Sequence, residues 1–429
     1  MESKENPGFV IPPLGLPISY LVLSTISLSL AFAGAIKYPN DFIGAYYHAH
    51  MLSFTHLVTI GWLTANILGL FYVVAPMALQ TNMPGGKWDV AAFCLFAIGL
   101  SGMVSHFWIR RDSGMAWSAG CVYAAILFLS FKFFTRINRS RTQGFVKLHL
   151  YFGFSNILIA ASWGLLMAIN KVHGFLRSEV TSNLFAHAHL AGVGWICMIV
   201  FGMSYRLLPM FLPGTPTKGR IPWITAFLIE IGVLGVFVSL LIESGLLYLF
   251  SIFIAAGFVT FLLQAVRTAL LRKPAPPPLP LRPDFAMVQV AFSFIFLVAS
   301  IALGMALARG SFPPSEVQIR IVYAFLALVG FLSQMIFAMR PKILSIFTWY
   351  HAFQRYGNSV PIPRPVDMPV RWLQIITLLL WIAGVPAFAF GIFRENSNYI
   401  QFAASLLLIS VITLTSNEIL ILRKIFRAP

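Results

Sequence analysis

The sequence predicts an all-α, polytopic membrane protein of twelve transmembrane helices, arranged as three four-helix units about a pseudo-threefold axis. Three observations predict it: an apolar composition, a series of runs long enough to cross a bilayer, and an internal repeat that returns after four helices. Of the 429 residues, 59% are hydrophobic and 10% are charged, and Phe alone fills 40 positions. A water-soluble domain leaves most of its residues partly exposed and cannot hide so much apolar surface. About 20 apolar residues in a helix span the hydrocarbon core of a bilayer.

Apolar runs between charged or Pro/Gly-rich breaks place the helices at 14–36, 46–79, 88–109, 113–134, 147–170, 183–211, 221–243, 245–271, 285–308, 317–345, 370–393 and 398–424. The chain then reads as one integral membrane domain, 1–429, with repeat units at 14–134, 147–271 and 285–424. MESKENPGFVIPPLG (1–15) is a short polar lead-in without the pattern of a cleaved signal peptide. RKPAPPPLPLRP (272–283) and RYGNSVPIPRP (355–365) read as proline-rich connections too short to be domains.

The net charge of +17 follows from topology. The N-terminus, the even-numbered connections and the C-terminus carry 22 of the 30 Lys and Arg, and the odd connections carry eight. The positive-inside rule then puts both termini on the cytoplasmic side, and a bacterial inner membrane is the expected location. Attraction to anionic lipid accounts for the surplus charge, and a nucleic-acid partner is not expected. Cys94, Cys121 and Cys197 all fall in apolar spans and form no CxxC. Cysteine-based metal or disulfide chemistry is therefore not expected.

The repeat pairs two histidines. HLVTIGWLTANILGLFYVVAPM (56–77) aligned without a gap to HLAGVGWICMIVFGMSYRLLPM (189–210) agrees at 8 of 22 positions, His56/His189 and Trp62/Trp195 among them. VGFLSQMIFAMRPKIL (329–344) continues the series, so helices 2, 6 and 10 are equivalent inner elements. In this third copy Tyr323 stands where His187 stands, and Phe325 where His189 stands. The shared glycines serve close helix packing. Histidine is not needed for packing and is costly away from water unless its ring nitrogens are satisfied.

Seven of the nine histidines fall toward the outer side: His48, His50, His56, His106, His173, His187 and His189. Capping or solvent contact near helix ends would explain some of them; a metal or haem site contributed by helices 2, 3 and 6 would explain the cluster. Residues two apart on a helix are separated by about 200°, so His187 and His189 face opposite ways and do not readily share one metal. His56 and His189, being repeat-equivalent, should sit at one depth on adjacent helices and can hold a haem iron from both sides. Trp62, Trp195, Phe54 and Phe185 supply aromatic surface for such a ring. Arg110 and Arg111 read either as partners for haem propionates or as interface anchors. His48 and His50, with His187 or His106, read either as copper ligands or as interfacial residues in water. Glu230 and Glu418, within helices 7 and 12, are candidates for proton transfer. GGK (85–87) lacks the neighbours of a phosphate loop.

AHAHLAGVGWICMIVFGMSYRLLP and THLVTIGWLTANILGLFYVVAP resemble the histidine-bearing helices of the haem–copper oxidase subunit I superfamily, especially the C-type oxidases and nitric oxide reductases. The twelve-helix layout also resembles that of the NnrS family, membrane proteins that carry haem and copper. The resemblance implies non-covalent haem b, with copper as a second metal. It implies His56 and His189 as the bis-histidine pair, and His187 facing the second site. It also implies electron transfer or the handling of nitric oxide or oxygen, with a redox partner or quinol as electron donor. This sequence departs from the pattern in several places, since its HxH sits on helix 6, helix 10 has no histidine, and no WTG follows HAHM. Helix 7 carries no histidine, so a full oxygen-reducing centre is not expected, and HAHM (48–51) has Met51 where NnrS proteins have Glu. A transporter that uses the outer histidines as transit ligands for copper or haem is the alternative reading.

Overall fold

The computed structural model describes residues 14–44, 47–176, 178–273, 284–313, 317–357 and 359–426. The lead-in at 1–13 and most of the proline-rich connection at 272–283 lie outside the described residues. Twelve helices are long and apolar enough to cross a membrane: α1 (Gly15–Lys37), α2 (Ala49–Leu79), α3 (Lys87–Trp108), α4 (Asp112–Arg139), α5 (Gly144–His173), α6 (Val180–Phe211), α7 (Ile221–Leu241), α8 (Leu247–Leu270), α9 (Phe285–Ala308), α10 (Val317–Tyr356), α11 (Arg371–Phe393) and α12 (Ser397–Ile425). No strand forms among the described residues. The chain is an all-α, multi-pass membrane protein.

The largest boundary difference is at α10. The apolar run weakens after Ser345, yet the helix continues through Tyr356 and stops at Gly357, whose positive φ of +58° glycine adopts without a Cβ penalty. Helix α5 stops at Gly174, in the left-handed helical conformation with φ +63° and ψ +37°.

Each group of four helices packs alike. The first helix of a group lies along the second (α1 on α2, α5 on α6, α9 on α10), the third pairs with the fourth, and the fourth touches the first helix of the next group. Contact between α12 and α1 closes the ring. Helices α2, α6 and α10 meet one another at the centre. Their apolar stretches are 56–78% buried, against 28–50% for the nine outer helices, which is what separates an inner from a lipid-facing element. The outer helices present large apolar side chains such as Ile98, Trp117 and Leu263. In water such a surface would be a liability; in a bilayer it is the solvated face.

The inner helices share an irregularity. Each opens from α-helix into eight residues of π-helix: Leu57–Thr64, Leu190–Cys197 and Leu326–Ser333. These segments are offset by 133 and then 136 residues, the same offsets at which the sequences align. Inside each, a glycine meets the first helix of its own group. A Cβ at Gly61 would lie 2.5 Å from the Ser27 Cβ, one at Gly194 would lie 3.0 Å from the Asn156 side chain, and one at Gly330 would lie 2.9 Å from the Phe296 ring. Small residues thus let the helix axes approach where no hydrophobic effect draws helices together.

Buried polar groups lock the bundle. Arg340 on α10 donates to Glu418 on α12 at 2.6 Å and to Thr25 on α1 at 3.2 Å, and its guanidinium lies over the Trp62 ring at 5.1 Å. Both charges are buried, so each is sustained by the other. Glu418, expected as a proton-transfer candidate, is thereby tied into an ion pair within the third group, and the Arg340–Thr25 hydrogen bond joins that group to the first. Nearer the same end, Tyr72 donates to Asp89 at 2.5 Å, and Lys132 pairs with the same carboxylate.

Candidate cofactor site

The histidines expected at the outer side gather at the end of the bundle opposite the two chain ends. His56 and His189 are each the last α-helical residue before a π segment. There they occupy repeat-equivalent places, but they do not face each other. A cavity of about 310 Å³ opens among α2, α3, α4, α5 and α6, and its two histidines are His56 and His187. The expected pair, His56 with His189, is not the pair that lines this cavity. The reason is the 200° between neighbours two apart: turning His187 toward this cavity turns His189 away from it.

Each imidazole is held at one nitrogen. His56 Nδ1 lies 2.7 Å from the Leu52 carbonyl, and His187 Nδ1 lies 3.0 Å from the Ala160 carbonyl. A carbonyl only accepts, so Nδ1 carries the hydrogen in both rings and Nε2 keeps its lone pair. Among the described residues the hydrogen bond of each ring runs through Nδ1, and none is formed at Nε2. A ring anchored through Nδ1–H to a backbone carbonyl, with the other nitrogen free, is the arrangement of metal-ligating histidine. Gly164 makes room for it, since a Cβ there would lie 3.0 Å from His187 Cε1.

The remaining wall is mostly apolar, with Leu52, Ile60, Ile126, Ile157 and Leu165, and methionines at 103, 115 and 167. Trp195 lines it and donates to Thr64 at 3.1 Å, whereas Trp62 faces Arg340 and Phe54 packs against Phe42 and Phe32. Of the four aromatics expected around a ring, only Trp195 belongs to this wall. Its charged lining residue is Lys171, paired with Asp112 at 3.0 Å. Arg110 and Arg111 are exposed at the end of α3 and do not line the cavity; Arg110 donates to His48 Nε2 at 2.9 Å. Lys171, and neither arginine, is the cation that lines the cavity.

The other two junctions between inner helices carry the equivalent positions. His189 Nδ1 donates to the Phe185 carbonyl at 2.8 Å, and the Tyr323 hydroxyl lies 3.4 Å from His189 Nε2. In the third junction Phe54 and Phe325 are joined through Phe42 and Phe388 by ring contacts of 4.4–5.3 Å. One architectural position thus holds His with His, His with Tyr, and Phe with Phe.

The histidines nearer the surface form a separate group. His48 and His50 come together with Asp41, one ligating atom of each lying within 4.8 Å of the others. Neither His187 nor His106 joins them. His106 instead donates from Nδ1 to the Gly102 carbonyl at 2.6 Å and packs over Gly114. Glu230 accepts from Asn156 at 2.8 Å, and Asn156 also donates to the Gly194 carbonyl inside the π segment. Asp41 and Lys171 went unnoticed in the sequence because each sits alone in a connection or at a helix end.

No protein-family model matches the chain, and no curated protein matches its sequence.

Proposed function

We propose that the chain binds haem b non-covalently between α2 and α6, where His56 and His187 would hold its iron. The observation that carries this reading is the shared cavity, in which two imidazoles from different helices keep Nε2 free. The cavity volume is in the range of small-molecule and cofactor sites. The apolar wall suits the face of a porphyrin, and Lys171 with Asn170 supplies polar groups toward the helix ends for its carboxylates. A haem so held supplies reversible one-electron chemistry at iron. The chain's own residues fix the ligand rings through Nδ1, exclude water with Ile, Leu and Met, and neutralise acid groups at Lys171. Electron transfer, or the handling of nitric oxide or oxygen, with a quinol or protein electron donor, is the function this arrangement serves best. The likeness of the two histidine-bearing segments to the haem–copper oxidase superfamily supports haem as the ligand, although it pairs His56 with His189 and not with His187. We place the protein in the bacterial inner membrane with both termini cytoplasmic, on the distribution of Lys and Arg.

The test is haem stoichiometry by the pyridine haemochrome method on protein purified from haem-supplemented cells. Wild type should retain haem; His56→Ala and His187→Ala should lose it while remaining monodisperse. Wild type without haem, yet with copper- or haem-dependent flux in vesicles, would replace this reading with a transporter.

A further inference from the structure

We propose that Asp41, His48 and His50 form a binding site for a divalent transition-metal ion, copper foremost, distinct from the cavity of His56 and His187. The inference goes beyond the haem reading and does not depend on it.

Two short segments build the site. Asp41 stands on the 3-10 turn Pro39–Phe42 that follows α1. His48 is the extended residue that caps α2, and His50 lies in the first turn of that helix. On a regular helix, His48 and His50 would diverge. Here the extended backbone of His48, with φ −63° and ψ +146°, brings the two rings to a centroid distance of 5.3 Å. His50 Nδ1 meets Asp41 Oδ2 at 2.5 Å, and the His50 ring stacks on Trp108 at 3.9 Å, which fixes its plane. Two imidazoles and one carboxylate, with a ligating atom each inside 4.8 Å, can close around one ion by small side-chain movements. Two imidazoles and a carboxylate suit divalent first-row metals, and among these the affinity of a given site peaks at copper.

His48 supplies the second observation. Its Nδ1 is buried with no hydrogen-bond partner, while its Nε2 takes the Arg110 N–H at 2.9 Å. In that state the hydrogen sits on Nδ1 and meets no acceptor, an unfavourable arrangement for a buried polar atom. Ligation through Nδ1 moves the hydrogen to Nε2 and releases Arg110, whose side chain is exposed and free to turn into solvent. The metal-free state is thus held by a contact that metal binding exchanges. The exposure of Asp41 and His50 side chains, 23% each, leaves a path for the ion from the aqueous side and room for water as a further ligand.

The experiment uses full-length protein in detergent, stripped with chelator and titrated with Cu2+. Calorimetry reads affinity and stoichiometry, and electron paramagnetic resonance reads the ligands. Wild type should bind with superhyperfine splitting from imidazole nitrogen. His50→Ala and Asp41→Asn should each weaken binding at least about tenfold, as removing a ligand disturbs a site no less than removing its outer partners. Thermal unfolding of the same variants, unchanged without metal, shows that they fold. The site is overturned if Asp41→Asn and His50→Ala bind with wild-type affinity and spectrum. It is equally overturned if the copper signal disappears in a His56→Ala, His187→Ala double variant and not in these.

Discussion

His187 and His189 stand two residues apart on one helix and serve different junctions of the bundle. His187 lines the cavity of His56, while His189 lies 3.4 Å from the Tyr323 hydroxyl. The separation follows from helix geometry and from the three inner helices meeting at the centre. It makes the two histidines unequal, and that inequality can be measured.

Removing the tyrosine hydroxyl isolates the second junction. Tyr323→Phe leaves His189 anchored through Phe185 and leaves the His56/His187 cavity untouched. Haem content and visible spectrum should match wild type. A loss of haem in Tyr323→Phe would place the cofactor at the other junction.

Gly164→Ala puts a methyl group 3.0 Å from His187 Cε1. The ring must yield by a few tenths of an ångström. Haem should remain bound while the shape of its low-spin signal in electron paramagnetic resonance shifts, because that shape follows ligand orientation. Gly120→Ala on α4, which meets nothing within 4 Å, should show no change.

The pair of Arg340 and Glu418 gives a stability prediction. Glu418→Ala leaves a buried guanidinium without its counter-charge and should cost about 3–5 kcal/mol, read as a large fall in the midpoint of thermal unfolding in detergent. Replacing both, as Arg340→Met with Glu418→Leu, should recover most of that loss. Equal midpoints for the single and double variants would mean that the charges act independently.

The π segments predict a packing rescue. Gly61→Ala drives a methyl group into Ser27 and should destabilise the protein by about 1–3 kcal/mol. Because the clash involves the Ser27 Cβ itself, Ser27→Gly should restore the midpoint and Ser27→Ala should not.

The twelve helices were legible because each is an apolar run bounded by charge, and the repeat was legible because Gly61, Gly194 and Gly330 stand at fixed offsets. The opposition of His187 and His189 also follows from the helical period. Which of the two faces His56 did not. Repeat-equivalent residues sit at equal depth, but a threefold arrangement brings His56 of one copy against the position two residues earlier in the next copy. Alignment of His56 with His189 therefore pointed to kinship, and the cavity pairs His56 with His187. Glu418 read as a lone carboxylate because its partner lies 78 residues away on another helix. Asp41 gave no signal since its association with His48 and His50 depends on the turn after α1.

The most direct measurement is the dithionite-reduced minus oxidised visible spectrum of purified wild type beside His56→Ala, His187→Ala and His189→Ala. Sharp α bands of a six-coordinate b-type haem are expected in wild type and His189→Ala, and their loss or broadening in the other two. Bands that survive His187→Ala but vanish in His189→Ala, or a featureless wild-type spectrum from haem-supplied cells, would contradict the assignment.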